Sequence, residues 1–250
     1  SKIDENSQAG AVVGTLSATD QDSGDSHSYT LSGTDADQFE IVGDQLKLVS
    51  NASVDFETKT SYAVTVTASD AGSESVSNNF TISVNDVNDS PTAIGLDGSD
   101  IDENSQGGAV VGTLSATDQD SGDSHSYTLS GTDADQFEIV GDQLQLASNA
   151  SVDFESKTSY AVTVTASDAD GKSVSDDFTI SVNDVNEGPW VGFASVSIDE
   201  NSTGIVVGDL TINDEDTGDT HTLELSGADA GLFEINEGNQ LQLKTGASLD

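Results

Sequence analysis

The stretch Asn85-Asp86-Val87-Asn88-Asp89-Ser90-Pro91 packs carboxylate and amide oxygens into seven residues, and it returns as Asn183-Asp184-Val185-Asn186-Glu187-Gly188-Pro189. Further acids stand nearby in pattern: Glu5, the pair Asp55 and Glu57, the pair Asp118 and Asp120, and Asp168. Carboxylates brought to close range repel one another or take up protons unless a cation is shared between them. Hard oxygen donors suit calcium, which takes six to eight of them at about 2.3–2.6 Å. Magnesium wants a tighter octahedron with more water, and zinc wants His or Cys. The chemistry these residues offer is therefore Ca2+ binding, at a joint that occurs twice.

The elements that must position them follow from the repeats. Ile3-Asp4-Glu5-Asn6 recurs 98 residues on at Ile101 and 97 further at Ile198, and residues 3–91 differ from 101–189 at only eleven of 89 positions. The expected domains are repeat 1 at 1–89, repeat 2 at 90–187 and a partial repeat 3 at 188–250 that lacks its last two strands. The chain reads as a segment of a longer array. Within a copy, Tyr62, Val64, Val66 and Ala68 alternate with period two, as do Phe80, Ile82 and Val84, and the run Ala11 to Thr19. Phe39, Tyr62 and Phe80 are the larger expected core pieces of the first copy. Only Asp35-Ala36-Asp37-Gln38 reads as a helical turn. About seven strands between Gly, Asp, Asn and Ser turns in just under 100 residues predict an all-β chain of tandem seven-stranded immunoglobulin-like sandwiches in an elongated array.

Composition narrows the partners. With 46 acidic and 6 basic residues the formal net charge is −40, which repels nucleic acid and anionic membrane surfaces. No apolar run reaches the roughly 18 residues that span a bilayer, so direct membrane insertion is not expected. The chain has no cysteine, so disulfides cannot brace these small modules and a metal could.

Read together, the Glu-Asn element, Asp-x-Asp, Asp-x-Glu, the Asp-x-Asn-Asp linker and Ala-x-Asp make the chain resemble a tandem cadherin array over nearly its whole length. The near-identical copies and the lack of cysteine further resemble the cadherin-like extender repeats of large bacterial, RTX-type surface adhesins. The resemblance implies that the base of one domain, the linker and the top of the next share up to three calcium ions. Glu5, Asp55, Glu57, Asp86, Asn88 and Asp89 would then bind with Asp118, Asp120 and Asp168. At the next joint Glu103, Asp153, Glu155, Asp184, Asn186 and Glu187 would bind with Asp214 and Asp216, that joint being incomplete. Asp20, Asp22 and Asp70 are the first copy's equivalents of Asp118, Asp120 and Asp168 and are candidate ligands as well. Ser90 stands where such linkers often carry Asn, and Glu187-Gly188 replaces Asp89-Ser90, which puts the ion position at the second joint in question. If eight carboxylates meet at the first joint, three divalent ions reduce a local charge of −8 to −2.

Other chemistries fit less well. An EF-hand loop from Asp20 fails because Gly24 takes the fifth ligand place and Leu31 the twelfth. His27, His125 and His221 share one register but lie about a domain apart, which favours a structural role over a transition-metal site. Asp55 with Glu57 as a glycosidase pair lacks an aromatic cleft, and no nucleophile elbow or phosphate loop is present, so the chain is not expected to be an enzyme. Trp190, the one tryptophan, is expected to pack against a domain edge. The reading is a calcium-rigidified extracellular spacer of a cell-surface adhesin. Its partners would be calcium ions and neighbouring repeats, with any cell-surface or glycan ligand held by regions outside this stretch. The alternative is that the repeats themselves bind a glycan or self-associate.

Overall fold

The structure is a computed structural model and describes every residue except 23, 25, 195, 196, 248 and 250. Ser23 and Asp25 of the rejected EF-hand loop, and Asp250, fall outside the described residues. The first copy contains β1 (Lys2–Asp4), β2 (Val12–Thr15), β3 (Ser28–Ser32), β4 (Phe39–Val42), β5 (Gln45–Leu48), β6 (Ser61–Ser69) and β7 (Ser75–Asn85). They form two sheets, ordered β1-β7-β6-β3 and β2-β5-β4. The second copy contains β8 (Ala93–Leu96), β9 (Asp100–Asp102), β10 (Val110–Thr117), β11 (Ser126–Ser130), β12 (Phe137–Val140), β13 (Gln143–Leu146), β14 (Ser159–Ser167) and β15 (Ser173–Asn183), in sheets β11-β14-β15-β9 and β12-β13-β10-β8. The remainder forms one sheet, β16-β17-β19-β18, from β16 (Trp190–Phe193), β17 (Val206–Asn213), β18 (Phe233–Ile235) and β19 (Gln240–Leu243).

Two compact units result. One is Ser1–Gly95 with Ser115–Thr128 and Thr165–Asp176; the other is Leu96–Leu114 with Leu129–Val164 and Asp177–Asp250. The first unit is built on a core of Ile3, Val13, Phe39, Leu46, Leu48, Val54, Tyr62, Val64, Ile82 and Val84. The second holds the same ten positions, each 98 residues on: Ile101, Val111, Phe137, Leu144, Leu146, Val152, Tyr160, Val162, Ile180 and Val182. Burying each such side chain contributes about 1.5–3 kcal/mol. In each core a phenylalanine meets a tyrosine edge to face, Phe39 with Tyr62 at 5.6 Å and Phe137 with Tyr160 at 5.7 Å. Lys59 and Lys157 lie over those tyrosine rings and pair with Asp35 and Asp133.

The period-two strands form as the pattern dictates: Tyr62, Val64, Val66 and Ala68 on β6 are buried, with their neighbours facing outward. The run from Ala11 behaves differently. β2 and β5 slip register between Val12 and Gly14, and β10 and β13 do so between Val110 and Gly112. This bulge reverses the parity, so Val111 and Leu114 are both buried while Val110 is exposed. In the first copy the strand stops at Thr15, short of the expected Thr19. The 3-10 turns at Ala36–Gln38 and Ala134–Gln136 match the expected helical turn.

Two expectations are corrected. Phe80 is not a core residue: it is 38% exposed. Phe80 lines an open cleft of about 520 Å³ together with Leu16, Tyr29 and Val76, whereas its counterpart Phe178 packs against the second copy's core. Trp190 does not pack against a domain edge either. Its side chain is among the exposed large hydrophobics, and its backbone pairs with Asn213.

What matters for the joints is the parallel pairing of β1 with β7 and of β9 with β15. Asp4 lies opposite Asn85, and Asp102 opposite Asn183. Each copy's Glu-Asn element and its Asp-x-Asn linker therefore emerge side by side at one end of a sandwich.

Candidate metal centres

At the first joint Glu5 follows β1 and its backbone N–H donates to the Asn85 carbonyl at 3.1 Å. The residue is 3% exposed. One carboxylate oxygen accepts the Phe56 N–H (2.8 Å) and the other the Val87 N–H (2.7 Å), tying the Asp-x-Glu loop to the linker. Asn6 occupies the left-handed region at φ 57°, where asparagine is tolerated better than most residues. From there its amide donates to Asp89 Oδ1 at 2.9 Å. The linker then meets Asp118, Asp120 and Asp168: the Thr92 N–H donates to the Thr117 carbonyl, the Asp89 N–H to Asp120 Oδ2 and the Asn88 amide to Asp168 Oδ2.

The result is a set of overlapping carboxylate groups. Oxygens of Glu5, Glu57 and Asp89 lie within 4.8 Å of one another, as do those of Glu57, Asp86 and Asp120, and those of Asp118, Asp123 and Asp168. Asp55 spends both oxygens on its own turn, accepting the Thr58 N–H and hydroxyl at 2.9 Å each. Those bonds hold its carboxyl below the usual range. Asp168 is held low by its Asn88 hydrogen bond. Burial pushes Asp86 up, with Asp120 and Glu5 adding to it; burial followed by Glu5 raises Glu57.

The second joint repeats this arrangement inside the second unit. Glu103, 4% exposed, accepts the Phe154 and Val185 N–H groups at 2.8 Å each. Asn104 at φ 58° donates to Glu187. The Glu187 N–H donates to Asp216 Oδ2 at 2.7 Å. Oxygens of Glu103, Asp153 and Glu155 gather within 4.8 Å, as do those of Glu155, Asp184 and Asp216. Asp214 contacts His221 and receives the Asp216 N–H, while Asn186 donates to the Glu187 carbonyl at 2.6 Å. Burial raises the Asp184, Glu155 and Glu187 carboxyls, and neighbouring carboxylates add to each. Glu187 Oε2 is buried with no hydrogen-bond partner. A carboxylate oxygen in that position costs free energy unless a cation meets it, so the donor set fits calcium at the second joint, and the first joint gathers carboxylates of the same kind. Asp20, Asp22 and Asp70 line one cleft with His27 and Glu74.

Two features were not foreseen. Asp123 joins Asp118 and Asp168, and its carboxyl is pushed up by burial and by Asp120, Asp118 and Asp168. Its counterpart Asp219 acts on Asp184. The signal was the recurring Gly-Asp step, Gly122-Asp123 and Gly218-Asp219. The histidine register also has a purpose: His27, His125 and His221 place Nε2 3.4, 3.0 and 3.2 Å from Asp20, Asp118 and Asp214.

These shifts give a pH prediction. The raised groups bind protons more tightly in the folded chain than in the unfolded one, so their contribution is lost as pH rises through the raised values. The lowered groups, Asp55, Asp153 and Asp168, act oppositely and lose theirs as pH falls through the lowered values. Protons and calcium thus compete for the raised set. The gain in thermal midpoint on adding calcium is expected to be smaller at about pH 5 than at about pH 8. Equal gains from calorimetry at both pH values would contradict it.

Comparison with known proteins agrees with this architecture. The family model described as Cadherin domain matches residues 1–85 and 99–183. Human protocadherin gamma-C4 is 32% identical over 233 residues, covering 86% of the chain and 25% of that protein. Human protocadherin Fat 1 is 30% identical over 251 residues, 94% of the chain and 5% of that protein. The chain thus spans a quarter or less of the length of these curated relatives. Among solved structures, protocadherin gamma B7 extracellular cadherin domains 1–4 superpose with a TM-score of 0.68 at 28% identity, over 100% of the chain and 66% of that one. Mouse cadherin-23 EC22-24 gives a TM-score of 0.69 at 24% identity, over 98% and 84%. With two matched cadherin domains spanning most of its length, the chain belongs to the cadherin family.

Proposed function

We propose that this chain is a calcium-binding, calcium-rigidified extracellular spacer of a cell-surface adhesion protein, with repeats at 1–89, 90–187 and 188–250. The observation that carries the reading is the overlap of carboxylate groups through Glu57 at the first joint and through Glu155 at the second. Ions bound there would neutralise the joint and fix the linker, and Glu103 and Glu5 would serve as buried ligands held by backbone N–H groups. The protocadherin relatives support an adhesive, extracellular setting. The likeness to bacterial adhesin extenders rests on the eleven differences in 89 positions and the absence of cysteine. The test is a calorimetric calcium titration of the chain against the Asp86→Ala, Asp89→Ala double variant. The variant is expected to lose at least one ion; unchanged stoichiometry removes these linker ligands.

Self-association is the second reading. It draws on a solved relative, protocadherin gammaB7 EC3-6, described as a cis-dimer and 25% identical. Sedimentation in calcium separates the two, since a spacer stays monomeric at concentrations where a self-associating module does not.

A further inference from the structure

Three of the eleven differences between the copies fall together: Gly72-Ser73-Glu74 becomes Asp170-Gly171-Lys172. The turn itself is kept. Glu74 N–H donates to Asp70 Oδ1 at 2.9 Å, and Lys172 N–H to Asp168 Oδ1 at 2.8 Å. Ser73 and Gly171 both take positive φ, 73° and 87°, a conformation glycine adopts without strain. The charge is what reverses. Lys172 is one of only six basic residues among 46 acidic ones, and its ammonium donates to the backbone carbonyl of Asn88 in the linker. Asn88 in turn donates to Asp168 Oδ2 at 2.9 Å. A closed circuit therefore runs from the linker to Asp168, through the turn to Lys172, and back to the linker. It stands beside the Asp118, Asp123 and Asp168 group.

We infer that Lys172 is a tethered cation at the first joint: it pins the linker to the Asp168 turn when metal is scarce, and it opposes a divalent ion entering the Asp118–Asp123–Asp168 end. This rests on the calcium reading above. A lysine ammonium is one compact charge with three donors. It can satisfy the linker carbonyl and offset some of the carboxylate charge, but it repels a second cation placed in the same group. At the same position in the first copy Glu74 adds negative charge, so the two copies' Asp70 and Asp168 ends differ in the electrostatic welcome they give an ion.

The test uses the full chain with Lys172→Gln, Lys172→Glu and Lys172→Arg, read two ways. In calcium calorimetry, Lys172→Gln is expected to tighten the weakest class of sites about five- to tenfold and Lys172→Glu further, while Lys172→Arg stays close to the parent. In chelator, the Asp89 amide is expected to exchange several-fold faster in Lys172→Gln than in the parent or Lys172→Arg. A merely structural lysine would not move these two readouts in opposite directions. Identical isotherms for the parent and Lys172→Gln, both binding calcium, overturn the competition; unchanged exchange overturns the tether. Should the parent bind no calcium, the calcium reading and the competition fall together, and exchange still decides the tether.

Discussion

Chelating divalent metal is expected to lower the thermal midpoint of the chain by roughly 10–20 °C. An ion that binds only the folded state stabilises it by about 2.7 kcal/mol when its concentration is 100-fold above Kd. A chain of this size shifts by about 2–4 °C per kcal/mol. Two such ions account for the figure. The effect has a second source in the metal-free chain, where the Glu57, Asp86 and Asp120 oxygens within 4.8 Å are left facing one another. Magnesium should restore only a fraction of the loss, because a compact octahedral ion that keeps its water does not match a broad carboxylate cluster. Scanning calorimetry in calcium, magnesium and chelator makes the comparison. Coincident midpoints in calcium and chelator would show that the acidic joints contribute nothing through metal.

Glu103→Ala, like Glu5→Ala at the first joint, is expected to be the most damaging kind of single substitution at its joint. The Phe154 and Val185 N–H groups both end on its carboxylate, and the site is nearly closed to water. A buried N–H left without an acceptor costs about 1–3 kcal/mol; Val185 is 40% exposed and its N–H can turn to water, so the metal-free chain should lose about 1–3 kcal/mol. Glu103→Gln preserves shape but can present only one acceptor oxygen, and its NH2 would face an N–H. It should therefore recover less than half of the loss. Urea unfolding followed by circular dichroism in chelator isolates this backbone clamp from any contribution of calcium. A Glu103→Ala chain within about 0.5 kcal/mol of the parent under those conditions would refute the clamp.

Much of the fold was legible because β6 and β14 obey a strict period of two. The ten core positions also recur at a constant offset, so a single copy's pattern predicts the other. The joint was legible for a related reason. Glu5, Asp86 and Asp120 belong to short motifs whose order survives in both copies. What escaped notice depends on events that periodicity does not record. A one-residue bulge after Val12 reverses which side chains face inward, so the apolar positions of that strand no longer keep one parity. Asp123 is different: its Gly-Asp step is an ordinary turn sequence, and nothing in it separates a site carboxylate from a turn residue. The contact between His125 and Asp118 spans seven residues of loop, and no sequence rule for strands or turns brings those two side chains together.

The parallel ladders of β1 with β7 and β9 with β15 carry one more consequence. In each, the strand that leads into the Glu-Asn element lies beside the strand by which the chain leaves the copy, running the same way; in the second copy β8 comes before it and joins the other sheet. Tension transmitted through such a ladder slides the two strands past each other along their length. All of the ladder's hydrogen bonds are loaded together, where an antiparallel exit would let them break singly, in succession. Cadherin copies wired in this manner resist tension as a bolt in shear does, whatever holds the joints between them.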